Sequence, residues 1–168
     1  IMEIDDEVRE VPSPLILSQI KGFVEFKKVS FSYSDGEDVL KEISFSVKEG
    51  ETIGIVGPSG VGKTTLMSLL TRFFDPKTGE IYIDGQCLRN LDLKDYRRKI
   101  AVVLQDDYLF SGTVQDNISY GSFDASKEDM KKAVQMAQAD SFINQFSDRY
   151  MTQVGDRGTH LSSGQRQR

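Results

Sequence analysis

The chain has 168 residues, a length that suits one domain with enough interior for a real core. Lys and Arg total 21 against 26 Asp and Glu, a formal net charge of −5, which argues against nucleic acid as a primary partner because phosphate-backbone binding needs a basic face. Cys87 is the single cysteine, so an internal disulfide and a thiolate zinc cluster are both excluded. No apolar run reaches the roughly 20 residues of a membrane-crossing helix, and the N-terminus lacks the basic-then-apolar order of a signal peptide.

Residues 1–22 open on a charged stretch (Glu3, Asp5, Asp6, Glu7) and carry Pro12 and Pro14, which disfavour regular structure around them, so the segment reads as a linker. From Phe23 the pattern alternates: Val24 and Phe26, then Val29, Phe31 and Tyr33, then Ile43, Phe45 and Val47. Period-two burial with Asp35-Gly36 and Glu49-Gly50 as turns predicts antiparallel strands. Residues 52–56, TIGIV, form a short apolar run of the kind found in strands buried on both faces, and they lead into the glycine-rich stretch GPSGVGKTT. Leu66, Leu69, Leu70 and Phe73 then share one face of a helix that Asp75-Pro76 should end.

Ile81 to Ile83 reads as a strand entering a turn at Asp84-Gly85, and residues 100–104 as a second buried strand. From Ser126 the chain becomes helical, with Ser126 as cap, Asp129 three residues later, and Met130, Ala133, Val134 and Ala137 on one face. A shorter helix is expected at 142–146.

Gly57, Gly62, Lys63 and Thr64 match G-x-x-x-x-G-K-[ST]. In that spacing, glycines let backbone N–H groups converge on phosphate oxygens while the helix N-terminus adds partial positive charge. Lys63 is expected to reach the β- and γ-phosphates and Thr64 to place its hydroxyl on Mg²⁺. The alternative, a chance glycine turn, does not account for the strand before the loop and the helix after it. Most phosphate-loop enzymes also hold Mg²⁺ through an Asp at the end of an apolar strand. Asp84 imitates that placement but reads better as a turn residue, and at the end of residues 102–104 stands Gln105, ahead of Asp106 and Asp107.

These residues resemble the nucleotide-binding domain of ABC transporters, exporter type, over nearly the whole chain from about Phe23. LSSGQRQR, from Leu161 to Arg168, looks like the family's signature, and VVLQDDYLFSGTVQDNI like its Q-loop. TQVGDRG, which opens on Thr152 and closes on Gly158, resembles the exporter X-loop, and Tyr33 falls where the family has its adenine-stacking aromatic. Three departures stand out: Ser163 in place of the usual signature glycine, Asp156 for the commoner X-loop glutamate, and Thr64 for serine.

The resemblance implies an α/β fold: a P-loop NTPase core with an antiparallel β subdomain and a helical subdomain, C-terminally incomplete. Residues 1–22 would then be a linker following a transmembrane domain, and residues 23–168 the N-terminal part of the nucleotide-binding domain. ATP and Mg²⁺ are the implied cofactors. Nucleotide contacts fall on Tyr33, Gly57, Ser59, Gly60, Gly62, Lys63, Thr64 and Thr65, with Ser162, Gly164 and Gln165 serving the γ-phosphate held by a second subunit. Thr64 and Gln105 are the implied metal residues, and Gln105 the catalytic one; read from the residues alone, Gln105 is equally a satisfied polar strand end, and Tyr33 an ordinary strand tyrosine. Implied partners are a second nucleotide-binding domain in a head-to-tail dimer and the coupling helices of a transmembrane domain, met through the X-loop at the cytoplasmic face of a membrane. In the family the Walker B aspartate, catalytic glutamate and switch histidine follow the signature, so these 168 residues are expected to bind ATP without turning it over. His160 precedes the signature and is read as a loop residue.

Three rivals remain in view. An importer ATPase would begin almost directly at the first strand and lacks the exporter X-loop. A DNA-maintenance ATPase would separate the phosphate loop from the signature by a long coiled coil, and the sequence has no sustained heptads. A phosphate-loop kinase does not explain LSSGQ.

Overall fold

The computed structural model describes residue 8 and residues 11–33, 36–104, 108–122 and 124–168. Gln105, Asp106, Asp107 and the Asp35 of the first expected turn lie outside them. The chain divides into two compact units, residues 1–101 and residues 102–168.

The first unit is built on a four-stranded antiparallel sheet, ordered β2-β1-β3-β4, from β1 (Val24–Phe31), β2 (Leu40–Val47), β3 (Thr78–Ile83) and β4 (Gln86–Cys87). Phe26 pairs with Phe45 on one side and with Ile81 on the other. In a regular strand Phe26 and Val29 would face opposite ways, yet both are buried. The register shift between them, with Lys28 in the left-handed region at φ 46, turns Val29 back onto the core face. Phe31, Leu40, Ile81 and Ile83 complete this layer, and Leu66 and Leu69 of α1 (Lys63–Leu70) pack into it with Leu88, Leu91 and Tyr96.

Helix α1 stops earlier than the apolar spacing implies. Arg72 takes φ 53, a left-handed turn that carries Phe73 off the buried stripe to 58% exposure; there the Arg97 guanidinium lies 5.0 Å from its ring centre. A 3₁₀ turn (Leu88–Asn90) and α2 (Leu93–Arg98) follow β4, with Asp92 capping α2 by accepting from Asp95 N–H.

The two strands expected to be buried on both faces are not ladder strands. Residues 51–58 and 100–104 belong to no strand, and Ile53, Ile55 and Val56 are 43%, 39% and 92% exposed, Val102, Val103 and Leu104 51%, 73% and 65%. Apolar β-branched composition gives a segment the tendency to be a strand, but only a hydrogen-bonded neighbour makes it one, and among the described residues neither run has such a partner.

Residues 11–22 contain neither helix nor strand, as the prolines suggest, apart from a single parallel bridge between Leu15 and Leu91. They nonetheless lie on the first unit, where Leu17 and Ile20 pack against the core.

The second unit is helical: α3 (Val114–Ser119), α4 (Lys127–Met136), α5 (Asp140–Ile143) and α6 (Ser163–Gln167). Val114, Val134, Ala139, Ile143, Val154 and Leu161 form its core. Ser126 caps α4 by accepting from Asp129 N–H, as its sequence indicates. Helix α5 begins and ends two to three residues ahead of the expected 142–146; Phe142 and Phe146 still meet edge to face, ring centres 5.8 Å apart.

Candidate nucleotide site

The glycine-rich loop sits in the first unit, directly before α1. Gly62 is the N-cap of that helix at φ 102, a conformation that disfavours any Cβ. A Cβ there would also come within 2.7 Å of Leu40 Cδ2, so both the backbone and β2 require glycine. The cap carries no side chain, and the first N–H groups of α1 therefore stay open to an anion.

Lys63 donates its ammonium to Gly57 O at 2.8 Å and Pro58 O at 2.7 Å, which holds the charge over the mouth of the loop. Ser59, Gly60 and Thr64 are exposed, while Thr65 is 5% exposed. Cationic Lys63, open N–H groups and the accessible Thr64 hydroxyl form a donor and ligand set that fits a polyphosphate with a hard cation beside it.

Tyr33 follows β1 and reaches this loop. Its hydroxyl lies 2.9 Å from Thr65 Oγ1, and its ring is braced edge-on by Phe31 at 4.9 Å and Phe74 at 5.3 Å between centres. Tyr33 is 45% exposed, which fits an aromatic side chain available for a base to stack on.

The remaining expected residues belong to the second unit. Ser162 is the N-cap of α6, accepting from Gln165 N–H while Gln165 returns its side chain to Ser162 N–H, a reciprocal capping box. Gly164 faces open space, with no atom within 4 Å of its Cβ position. The TQVGDRG stretch is anchored at its centre by fully buried Val154, whose N–H donates to Gly112 O at 3.0 Å. Gln153 bridges to Thr113, and the His160 ring meets Gln153 O at 3.1 Å through Nδ1, a local tether that agrees with its reading as a loop residue. Asp156 and Arg157 are left exposed. At Gly158, φ is 72 and a Cβ would lie 2.9 Å from both Arg166 Cδ and Leu109 Cδ1, so this loop, α6 and the residue before Phe110 close on one another.

Two features are not anticipated by the sequence patterns. Tyr108, Phe110 and Tyr120 form an exposed aromatic cluster, with centre distances of 5.3 Å and 4.3 Å along the row; Asn117 fixes it by bonding both the N–H and the carbonyl of Phe110. Contiguous exposed aromatics mark interaction surfaces, and the signal in the sequence is three aromatics at spacings of two and ten. The other is the buried Arg72, 1% exposed, at the far end of α1.

Comparison with known proteins identifies the family. A family model described as ABC transporter matches residues 40–168. The chain is 43% identical over all of its length to an uncharacterized ABC transporter ATP-binding protein, YwjA, of Bacillus subtilis. It is 45% identical over 98% of its length to the beta-(1-->2)glucan export ATP-binding/permease protein NdvA of Rhizobium etli. A solved structure of a bacterial Atm1-family ABC exporter with ATP bound superposes on 95% of the chain, with a TM-score of 0.89 and 39% identity. The chain belongs to the ABC transporter family, as an ATP-binding domain of the exporter type, with the mixed α/β fold of that domain. It spans 29% of the length of each of those two proteins and 28% of the exporter chain. Among the described residues no helix is long and apolar enough to cross a membrane.

Proposed function

We propose that this chain binds Mg-ATP and serves as the nucleotide-binding part of an exporter whose transmembrane domain is fused upstream, at the cytoplasmic face of a membrane. The observation that carries the reading is the loop before α1, where Lys63 covers the mouth and glycine at 62 keeps the helix N-terminus open. Tyr33 stacks the base, Gly57, Ser59, Gly60, Gly62, Lys63 and Thr65 hold the phosphates, and Thr64 ligates Mg²⁺. Magnesium supplies charge neutralisation at the phosphate oxygens when bound. Gln105, the glutamine of the stretch that resembles the family's Q-loop, is assigned to the metal and the attacking water on that resemblance.

Hydrolysis belongs to a dimer, in which Ser162, Gly164 and Gln165 of one subunit meet the γ-phosphate held by the other. The exposed Asp156 and Arg157, together with the aromatic cluster of Tyr108, Phe110 and Tyr120, supply a polar and apolar face for the transmembrane coupling helices. Residues 1–22 are the linker from that domain and residues 23–168 the nucleotide-binding domain. The relatives named as export proteins support this over the importer and DNA-maintenance alternatives.

Lys63→Ala tests the core of the reading. ATP affinity, measured by titration calorimetry on the chain, is expected to fall strongly because the ammonium contact to the β- and γ-phosphates is lost. Equal affinity in the two proteins would refute phosphate binding at this loop.

A further inference from the structure

The end of α1 opposite Lys63 is tied by side chains to the segment after β4. Tyr96 donates its buried hydroxyl to Leu70 O at 2.7 Å, and Arg97 donates to Thr71 O at 3.3 Å and Arg72 O at 2.6 Å. Carbonyls that a helix end leaves open are thus capped from α2. Arg72 sends its guanidinium to Leu88 O at 3.3 Å and Leu91 O at 3.2 Å, with Asp75 on its Nε at 3.2 Å. A buried guanidinium is tolerated only when paired and bonded in this way, so the geometry at this end of the helix is closely fixed.

The same turn grips the peptide upstream of β1. Leu15 N–H donates to Asn90 O at 2.7 Å and Asp92 N–H donates to Leu15 O at 2.8 Å, while Lys99 Nζ donates to Leu17 O. At the other end one carboxylate, Asp84, accepts three consecutive amides: Lys21 at 2.7 Å, Gly22 at 3.1 Å and Phe23 at 2.9 Å. Asp84 N–H in turn donates to Phe23 O at 2.8 Å. Residues 15–23 therefore form a strap latched at both ends, and its first latch is the turn that Arg72 holds.

We propose that this strap is coupled to the phosphate loop: occupancy of the loop is transmitted along α1, through Arg72 and the Leu88–Asn90 turn, to residues 15–23, with Arg72 and Asp84 as positioning residues. Helix α1 has eight residues, about two turns, too short to absorb a shift at one end by bending over its length. Its far end is held on several sides, since the Leu70, Thr71 and Arg72 carbonyls and the Arg72 Nη1 engage residues 88–97 while the Arg72 Nε engages Asp75. The inference rests on the reading that the loop binds ATP, and it gives the linker a second role as a sensor of the bound state.

Hydrogen exchange on the 168-residue chain, with and without saturating Mg-ATP, tests it. Amides of the loop and of Leu15, Lys21, Gly22 and Phe23 are expected to slow, those of the strap at least about fivefold, the lower range of coupling between sites. In Arg72→Met the loop should keep its response and the strap should lose it; in Asp84→Asn the loss should be confined to residues 21–23. Should Arg72→Met fail to fold, Arg97→Met removes two of the caps on the same helix end and makes the same comparison. A clamp with a purely structural role would alter exchange equally in both states and leave the nucleotide-dependent difference unmoved. Protection of the loop with an unchanged strap in the unaltered chain, or a strap response that survives in the variants, would overturn the coupling and leave ATP binding standing. No protection at the loop would overturn both.

Discussion

The Tyr33 hydroxyl lies 2.9 Å from Thr65 Oγ1, so the aromatic proposed to hold the base is bonded to the helix proposed to hold the phosphates. The two halves of a nucleotide would then be gripped by one connected piece of structure. Tyr33→Ala should weaken ATP binding by about 1–3 kcal/mol, the range for base stacking. Tyr33→Phe keeps a ring braced by Phe31 and Phe74 and loses only the hydroxyl contact to Thr65, so it should lose little affinity. Calorimetric titration separates the two; a Phe variant as weak as the Ala variant would mean that the bond to Thr65, and not the ring, carries the effect.

A pH dependence is expected at the start of α3. Asp116 accepts from Thr113 N–H at 2.8 Å and from the Thr113 hydroxyl at 2.7 Å, and these two bonds, the backbone one foremost, hold its carboxyl below the ordinary range. A depressed folded value means that this contribution is complete above the unfolded carboxylate range near ~3.9 and fades as pH falls through the lower folded value. An NMR titration should show Asp116 protonating below the ordinary carboxylate range, and Thr113→Ala, which removes the hydroxyl bond, should move it upward. An unmoved midpoint in that variant would remove the hydroxyl from the attribution and leave the Thr113 N–H, which alanine retains, as the cause.

Two glycines close together should respond in opposite ways. Gly158→Ala forces a Cβ onto a left-handed backbone, about 1–2 kcal/mol by itself, and against Arg166 and Leu109. Gly164→Ala adds a Cβ in open space inside α6, where alanine is favoured over glycine by about 0.5–1 kcal/mol. Thermal melts should therefore fall for the first and hold or rise for the second.

Steady phosphate release from Mg-ATP by these 168 residues should stay at background. Phosphoryl transfer needs a carboxylate to hold the metal, and the one at the end of β3, Asp84, is already committed to three backbone amides. Sustained turnover would show that another group in the chain takes that role.

Features written in a few adjacent residues are legible from sequence alone. The phosphate loop follows from glycine, lysine and threonine spacing, and the cap of α4 from Ser126 with Asp129. Others depend on partners distant in sequence. Residues 52–56 and 100–104 have the composition of interior strands, but burial depends on neighbours that composition does not name. The phase change at Lys28 restores Val29 to the core against simple alternation, and the left-handed turn at Arg72 removes Phe73 from it. Asp84 reads locally as a turn residue, which it is; that it also binds residues 21–23 is set by the pairing of β1 with β3, a long-range fact. Gln105 lies outside the described residues, so its role stays with the proposal.

The Asp84 latch also decides where this unit can be cut. Trimming the chain at the first strand would leave the Asp84 carboxylate without its three amide donors and uncover the core surface that Leu17 and Ile20 shield. Anyone fusing this unit to another protein should place the junction before Leu15, since the edge of the fold lies nine residues ahead of its first strand.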